Sequence, residues 1–186
     1  MATALAHSEL DDSRRVRSLT VSRFAVALLL IGVSVALVVF HQQVRNAEAF
    51  LGGLALNLVT GYDLYSWMDQ LILTQADGSH LALRVTPECS VLVVLVPTLL
   101  ALAVILLITR VSIRRWLLSL IAVAAVMNIA NVIRIVTIAI GAFSFGNVGY
   151  SITHTVIGTL IIAAGTVGGV ILMLVIQRKP RAEQGE

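Results

Sequence analysis

Four stretches of this chain are too long, too apolar and too free of charge to lie on the surface of a soluble domain. Residues 24–40 read FAVALLLIGVSVALVVF, without one ionisable side chain, and residues 91–109 read VLVVLVPTLLALAVILLIT. Residues 116–140 and 155–176 continue in the same manner, the former interrupted by Asn128, Asn131 and Arg134. A helix needs about 20 mainly apolar residues to cross a hydrocarbon core about 30 Å thick. Inside lipid, backbone polar groups must be satisfied within the protein, which leaves helices for segments of this kind. Overall composition agrees: 58% of residues are hydrophobic and 12% charged, against about a quarter charged in soluble domains. The pattern predicts an all-α polytopic membrane protein with about four transmembrane helices. The first run reads as a retained anchor, because it lies far from Met1, exceeds a usual signal-peptide core and has no small-residue cleavage site.

Charge then orients the spans. Ten of the thirteen Lys and Arg residues fall in segments that four spans would place on one side: around residues 14–23, in the 110–115 loop and at 178–181. Basic loops stay cytoplasmic. The expectation is therefore a multi-pass protein of the cell membrane with a cytoplasmic tail at 1–23, a membrane-embedded domain at 24–176 and a second cytoplasmic tail at 177–186. This bias accounts for the net charge of +3 and removes any need for a nucleic-acid partner. The lipid bilayer is the one partner that composition itself demands.

The expected outer face is formed by residues 41–90 and the short loop at 141–153. Residues 47–60, AEAFLGGLALNLVT, are too few for a span and suit a short interfacial or re-entrant helix. In LILTQADGSHLALRV, two apolar runs flank Asp77–Gly78, a frequent hairpin turn. A small extracytoplasmic β-hairpin is expected over 71–85. Its edge would be free to pair with an extended peptide; a plain cap over the helix ends is the alternative.

Cys89 is the only cysteine, which excludes an intramolecular disulfide and multi-cysteine metal sites. No metal or cofactor is called for. In RVTPECS, Thr86 suits a helix N-cap and Pro87 the first helical position, which would put Glu88 and Cys89 in the first turn of the second span. The positive end of the helix dipole there favours a thiolate, while Glu88 opposes it unless its carboxylate is held elsewhere. A small apolar filler is the competing reading of Cys89. Arg134 lies inside the third span, where a charge is costly and commonly marks function. Steps of three residues place Asn128, Asn131 and Arg134 on one broad face, the asparagines suiting interhelical hydrogen bonds. His154 is expected in the first turn of the last helix, behind a Ser151 cap, where the dipole keeps the imidazole neutral. A thiol, a guanidinium and an imidazole, on three separate segments but near one membrane face, form a coherent set for acyl transfer.

The order of PECS at 87–90, NVIRI at 131–135 and ITHT around His154 resembles the exosortase/archaeosortase family. That resemblance, covering roughly residues 69–176, implies Cys89 as nucleophile, Arg134 as stabiliser and His154 as acid/base, with Asn131 and Glu88 in support. It further implies a membrane cysteine transpeptidase or peptidase. Its substrates would be exported proteins with a C-terminal motif, a membrane helix and a basic cluster, cleaved at the extracytoplasmic face and passed to a cell-envelope lipid or glycan acceptor. Family members are commonly longer ahead of the catalytic core, where this chain has a single span and the 47–60 segment. Two rival functions are a non-catalytic membrane assembly protein, in which the polar residues only join helices, and a transporter with Arg134 on an anion path.

Overall fold

The structure, a computed structural model, describes residues 2–61, 64–74, 80–109 and 112–178, with side chains from residue 21 onward. Five helices and a three-stranded sheet make up these residues. α1 runs over Ala2–Val39, and its apolar part, Val21–Val39, is long enough to cross a membrane. The helix breaks at Phe40, whose ψ of 26° turns the chain into α2, His41–Thr60. α2 ends on Gly61 at φ +67°, with its N–H bonded to the Asn57 carbonyl; only glycine takes that conformation without cost.

Three antiparallel strands follow: β1 (Leu64–Trp67), β2 (Gln70–Thr74) and β3 (His80–Arg84), in spatial order β1-β2-β3. β2 and β3 form the expected hairpin, with Leu71 opposite Leu83 and Leu73 opposite Leu81; its Asp77–Gly78 turn lies outside the described residues. β1 was not foreseen. It joins β2 through Met68 and Asp69, with Met68 at φ +52°. A turn that usually advertises itself with glycine or asparagine is here made by methionine, so the sequence carries no turn signal.

α3 (Leu92–Ile108) is apolar throughout and 17 residues long. α4 (Ile113–Ile152) is interrupted at Gly146, where φ +59° and ψ −143° break the helical path. A π-helical segment, Thr153–Ile157, then leads into α5, Gly158–Gln177. The apolar stretch Ile113–Gln177 therefore folds back on itself. A Cβ added at Gly165 would meet Ala130, one at Gly169 would meet Val123, and one at Gly158 would meet Arg134. Numbers that fall along α4 as they rise along α5 define an antiparallel pair, packed closely by small residues. By length and apolarity, Val21–Val39 and Ile113–Gln177 qualify as membrane-crossing stretches, with α3 slightly shorter.

Two regions of packing hold the molecule. The first is apolar: Ala27 and Leu30 of α1, Leu95, Leu99, Leu102 and Leu106 of α3, and Trp116, Val123 and Met127 of α4. Trp116 is fully buried, and its indole N–H donates to the Leu102 carbonyl at 3.3 Å. The second joins the sheet to α2 and α4 through Leu56, Leu64, Leu71, Val85, Ile135, Ile138 and Ala139, and it includes Cys89. Outward faces stay apolar, as at Leu29, Val104, Ile129, Leu160 and Ile171. α2 is reversed relative to a soluble amphipathic helix. It buries Arg45, Glu48, Gly52 and Gly53 while Phe50, Leu54 and Leu58 point outward, an orientation that makes sense against lipid.

The loop expected at 141–153 is helical instead. The reversal occurs at Gly146, and Ser151 sits within a helix that began before it, so it caps nothing and His154 is not in a first turn. FGNVGY offers two glycines near the bend, and the one with positive φ makes it.

Candidate active site

Thr86 is extended, and residues Pro87–Cys89 form a single 3-10 turn, closed by the Cys89 N–H on the Thr86 carbonyl at 2.9 Å. Ser90 is extended again, and α3 begins only at Leu92. Cys89 is therefore not in the first turn of the span, which corrects the sequence expectation. The helix N-terminus is occupied by another anion. The Glu48 carboxylate accepts the Val91 N–H at 2.6 Å, and the Ser90 hydroxyl accepts the Leu92 N–H at 3.3 Å.

Cys89 is 5% exposed, and its Sγ lies 3.1 Å from His154 Nε2. The two are 65 residues apart in the chain and are joined by the return of α5 along α4. His154 sits in the π-helical segment, a local widening of the helix that is frequent at functional sites. The Tyr150 ring stacks on the imidazole, with centroids 5.2 Å apart and planes 22° apart, which restrains its plane.

Arg134 is 9% exposed, and its Nη1 donates to the Glu88 carbonyl at 3.0 Å. The cation thus grips the backbone of the residue immediately before the thiol. Its Nε is buried without a partner and faces Gly158, where an added Cβ would stand 3.0 Å from Nε. Glycine at 158 is what lets this side chain lie between α4 and α5. The side chain of Glu88 is exposed. Hydrogen bonds from its own backbone N–H and from the Thr86 hydroxyl hold its carboxyl below the usual range, aided by the charges of His154 and Arg45.

Asn131 is buried, and its amide donates to the Glu48 carboxylate at 3.1 Å. It therefore ties α4 to α2. Asn128 does not share that face: it is exposed and bonds back to the Ala124 carbonyl of its own helix. Six residues of α-helix leave Asn128 about 120° around the axis from Arg134, too far for one interface.

Sequence reasoning missed the layer beneath the turn. Glu48 is 5% exposed and Arg45 6%. Burial pushes the Glu48 carboxyl above its usual range, opposed by the Val91 N–H, the Ser90 hydroxyl and the charges of Arg45 and Arg134. Arg45 bonds the Gln42 side-chain carbonyl and stands 3.9 Å from the Asp69 carboxylate. Asp69 also accepts from Arg84 Nε at 3.0 Å. Burial pushes Asp69 upward, but hydrogen bonds from Arg84 and Gln42 with the Arg84 charge outweigh it and hold the carboxyl below its usual range. One signal was available: His41, Arg45 and Glu48 lie four and three residues apart, which places them on one helical face.

This arrangement has the geometry for nucleophilic acyl transfer: a thiol in hydrogen-bond reach of an imidazole, with a fixed cation at the same turn. A family model described as transmembrane exosortase (Exosortase_EpsH) matches residues 14–174. No curated protein and no solved structure matches the chain. The family match runs from ahead of the first apolar stretch to the end of α5 and takes in the cysteine, arginine and histidine just described. The chain belongs to the transmembrane exosortase family.

Proposed function

We propose that this membrane protein is a cysteine transpeptidase that cleaves C-terminal sorting signals of exported proteins and transfers the remainder to a cell-envelope acceptor. The observation that carries the reading is the 3.1 Å contact between Cys89 Sγ and His154 Nε2, which neither an assembly protein nor an anion transporter requires. Four spans, with both termini cytoplasmic, would set the turn at Pro87–Cys89 on the outer face; the distribution of Lys and Arg supports that placement.

In the first half-reaction His154 takes the thiol proton as Sγ attacks the scissile carbonyl. The C–S bond forms, and the electron pair moves to the carbonyl oxygen beside the Arg134 cation. Collapse breaks the C–N bond, and His154 gives its proton to the leaving amine, releasing the tail with its membrane helix. A thioester remains on Cys89. In the second half-reaction an amine or hydroxyl of the acceptor attacks that thioester while His154 removes its proton. The thiolate leaves and is reprotonated. Arg134 stabilises the oxyanion and, through the Glu88 carbonyl, fixes the turn. Glu48 and Asn131 act at one remove, holding the start of α3 and the face of α4 that carries Arg134.

The test follows processing of exported proteins by gel shift and mass spectrometry in cells lacking the gene and complemented with variants. Cys89→Ala is expected to leave substrates uncleaved. The wild-type enzyme should yield a hydroxylamine-sensitive adduct on Cys89 when the acceptor is depleted. Normal processing by Cys89→Ala would overturn the mechanism.

A further inference from the structure

β3 is an edge strand, since the sheet order is β1-β2-β3, and it runs directly into the catalytic turn. Its hydrogen-bonding parity follows from one contact. The Val85 N–H donates to the Asp69 carbonyl at 2.7 Å, so that pair is bonded. Bonded and non-bonded pairs alternate along an antiparallel ladder. Leu83 opposite Leu71 and Leu81 opposite Leu73 are then the bonded pairs, and Ala82 opposite Ile72 and Arg84 opposite Gln70 are not. The N–H and C=O groups of Ala82 and Arg84 consequently point away from β2. Among the described residues no backbone hydrogen bond reaches them. Open edges of this kind are ordinarily covered or blunted because they recruit other strands.

Two features favour an occupant of one class. The edge is continuous with the site, because Arg84 stands five residues before Cys89 with extended backbone at Thr86 between them. The other edge, on β1, leads back into α2 and away from the turn. The faces of the sheet also differ: Leu83 and Val85 pack toward α2 and α4, while Ala82 and Arg84 lie on the exposed face. We infer that the outward edge of β3 at Ala82 and Arg84 binds the substrate, an extended peptide, as an added strand and delivers its scissile bond to Cys89. This rests on the transpeptidase reading for the identity of the peptide but not for the binding itself. Backbone pairing supplies affinity that tolerates varied side chains, and alternate side chains supply selectivity.

The parity provides a clean perturbation. Proline at 82 removes an outward N–H and leaves the β2 ladder intact, a placement edge strands tolerate. The probe is a set of fluorescent peptides of about eight residues, enough to run from Ala82 to Cys89 in extended form. Their sequences come from the segment ahead of the C-terminal membrane helix in exported proteins of the same cell. Binding is measured on the full chain in nanodiscs carrying Cys89→Ala, with and without Ala82→Pro, and the labelling rate of Cys89 by a small thiol reagent is compared in wild type and Ala82→Pro. The expected result is about tenfold weaker peptide binding in Ala82→Pro with unchanged Cys89 labelling. Equal binding, or no peptide binding to any variant, overturns the proposal. If labelling also changes, the same peptides N-methylated at single backbone nitrogens decide: losses at every second position support the edge, and uniform tolerance rejects it. Edge-dependent binding of peptides that the wild-type protein never cleaves would leave the edge standing and sink the transpeptidase reading.

Discussion

The two packed regions of this molecule are built on opposite principles. Around Leu99, Leu102, Leu106 and Trp116 the helices meet chiefly through apolar side chains. The Trp116 indole bond to the Leu102 carbonyl joins them and, at the end of α3, Arg23 donates to the Thr109 carbonyl at 2.7 Å. Beneath the Pro87–Cys89 turn, Arg45, Glu48, Asn131 and Arg134 are buried like the leucines and joined by a polar network from α2 to α4. Lipid is as apolar as leucine, so the first region gains little from the hydrophobic effect and depends on close fit. The second is costly to build and specific once built, because each buried polar group needs its partner. The proposed active site lies in the second region, where a carboxylate, an amide and two guanidinium groups surround one 3-10 turn.

Substitutions in the two regions should therefore separate activity from stability. The largest effect is expected at Cys89→Ala, which abolishes processing while thermal unfolding in detergent falls only by the small cost of losing one buried sulfur and its contact with His154. Next is Arg134→Lys. The ammonium keeps the charge but cannot reproduce the guanidinium fork, and the expected loss is about 10²-fold in kcat, read by single-turnover cleavage. Retention of wild-type kcat would mean that charge alone suffices and the Glu88 carbonyl contact is incidental.

Glu48→Ala sharpens the comparison from the other side. It strands the Val91 N–H and the Asn131 amide, at about 1–3 kcal/mol for each unsatisfied group, and should slow cleavage as the turn loosens. Glu48→Gln retains an acceptor and should cost less. Its pH dependence also differs from wild type. The folded-state Glu48 carboxyl titrates above its ordinary 4.5, so its contribution is fully present below that value and is lost as pH rises through the raised one. Thermal unfolding across that window should fall with pH in wild type more than in Glu48→Gln. Parallel curves would remove Glu48 from the account of stability. In the apolar region, Leu106→Ala should cost about 2 kcal/mol, the low end of the range for soluble cores because lipid weakens the transfer term, with Cys89 labelling unaltered. Smallest of all is Asn128→Ala, exposed and bonded only to its own helix, which should change neither readout.

How much of this was legible depended on whether a signal was local. The apolar stretches follow from hydropathy, and the β2–β3 hairpin from period-two alternation about a turn pair. Cys89, Arg134 and His154 each stand out for a local reason, and the fold brings them to one turn. Glu48 does not stand out, because the groups that give it a task, the Val91 N–H and the Asn131 amide, lie 43 and 83 residues away. α2 starts at His41, six residues before the apolar stretch at 47–60, because its first turns are polar and carry no hydropathy signal. β1 escaped because Met68 takes a positive φ without a glycine to announce it. The 141–153 loop was misplaced because Ser151 reads as a helix N-cap, whereas the helical path is broken at Gly146 and Ser151 lies within the helix.

The most direct test of the account uses the single cysteine, which makes a cysteine-free background unnecessary. In intact cells, Cys89 is titrated with a membrane-impermeant thiol reagent from acid to alkaline pH, in wild type and in His154→Ala and Arg134→Ala. The account predicts labelling from outside, with a pH profile that changes when His154 is removed and a rate that changes when Arg134 no longer holds the Glu88 carbonyl. Labelling that requires detergent unfolding, or that is indifferent to both substitutions, would make Cys89 a packing residue and contradict the catalytic assignment.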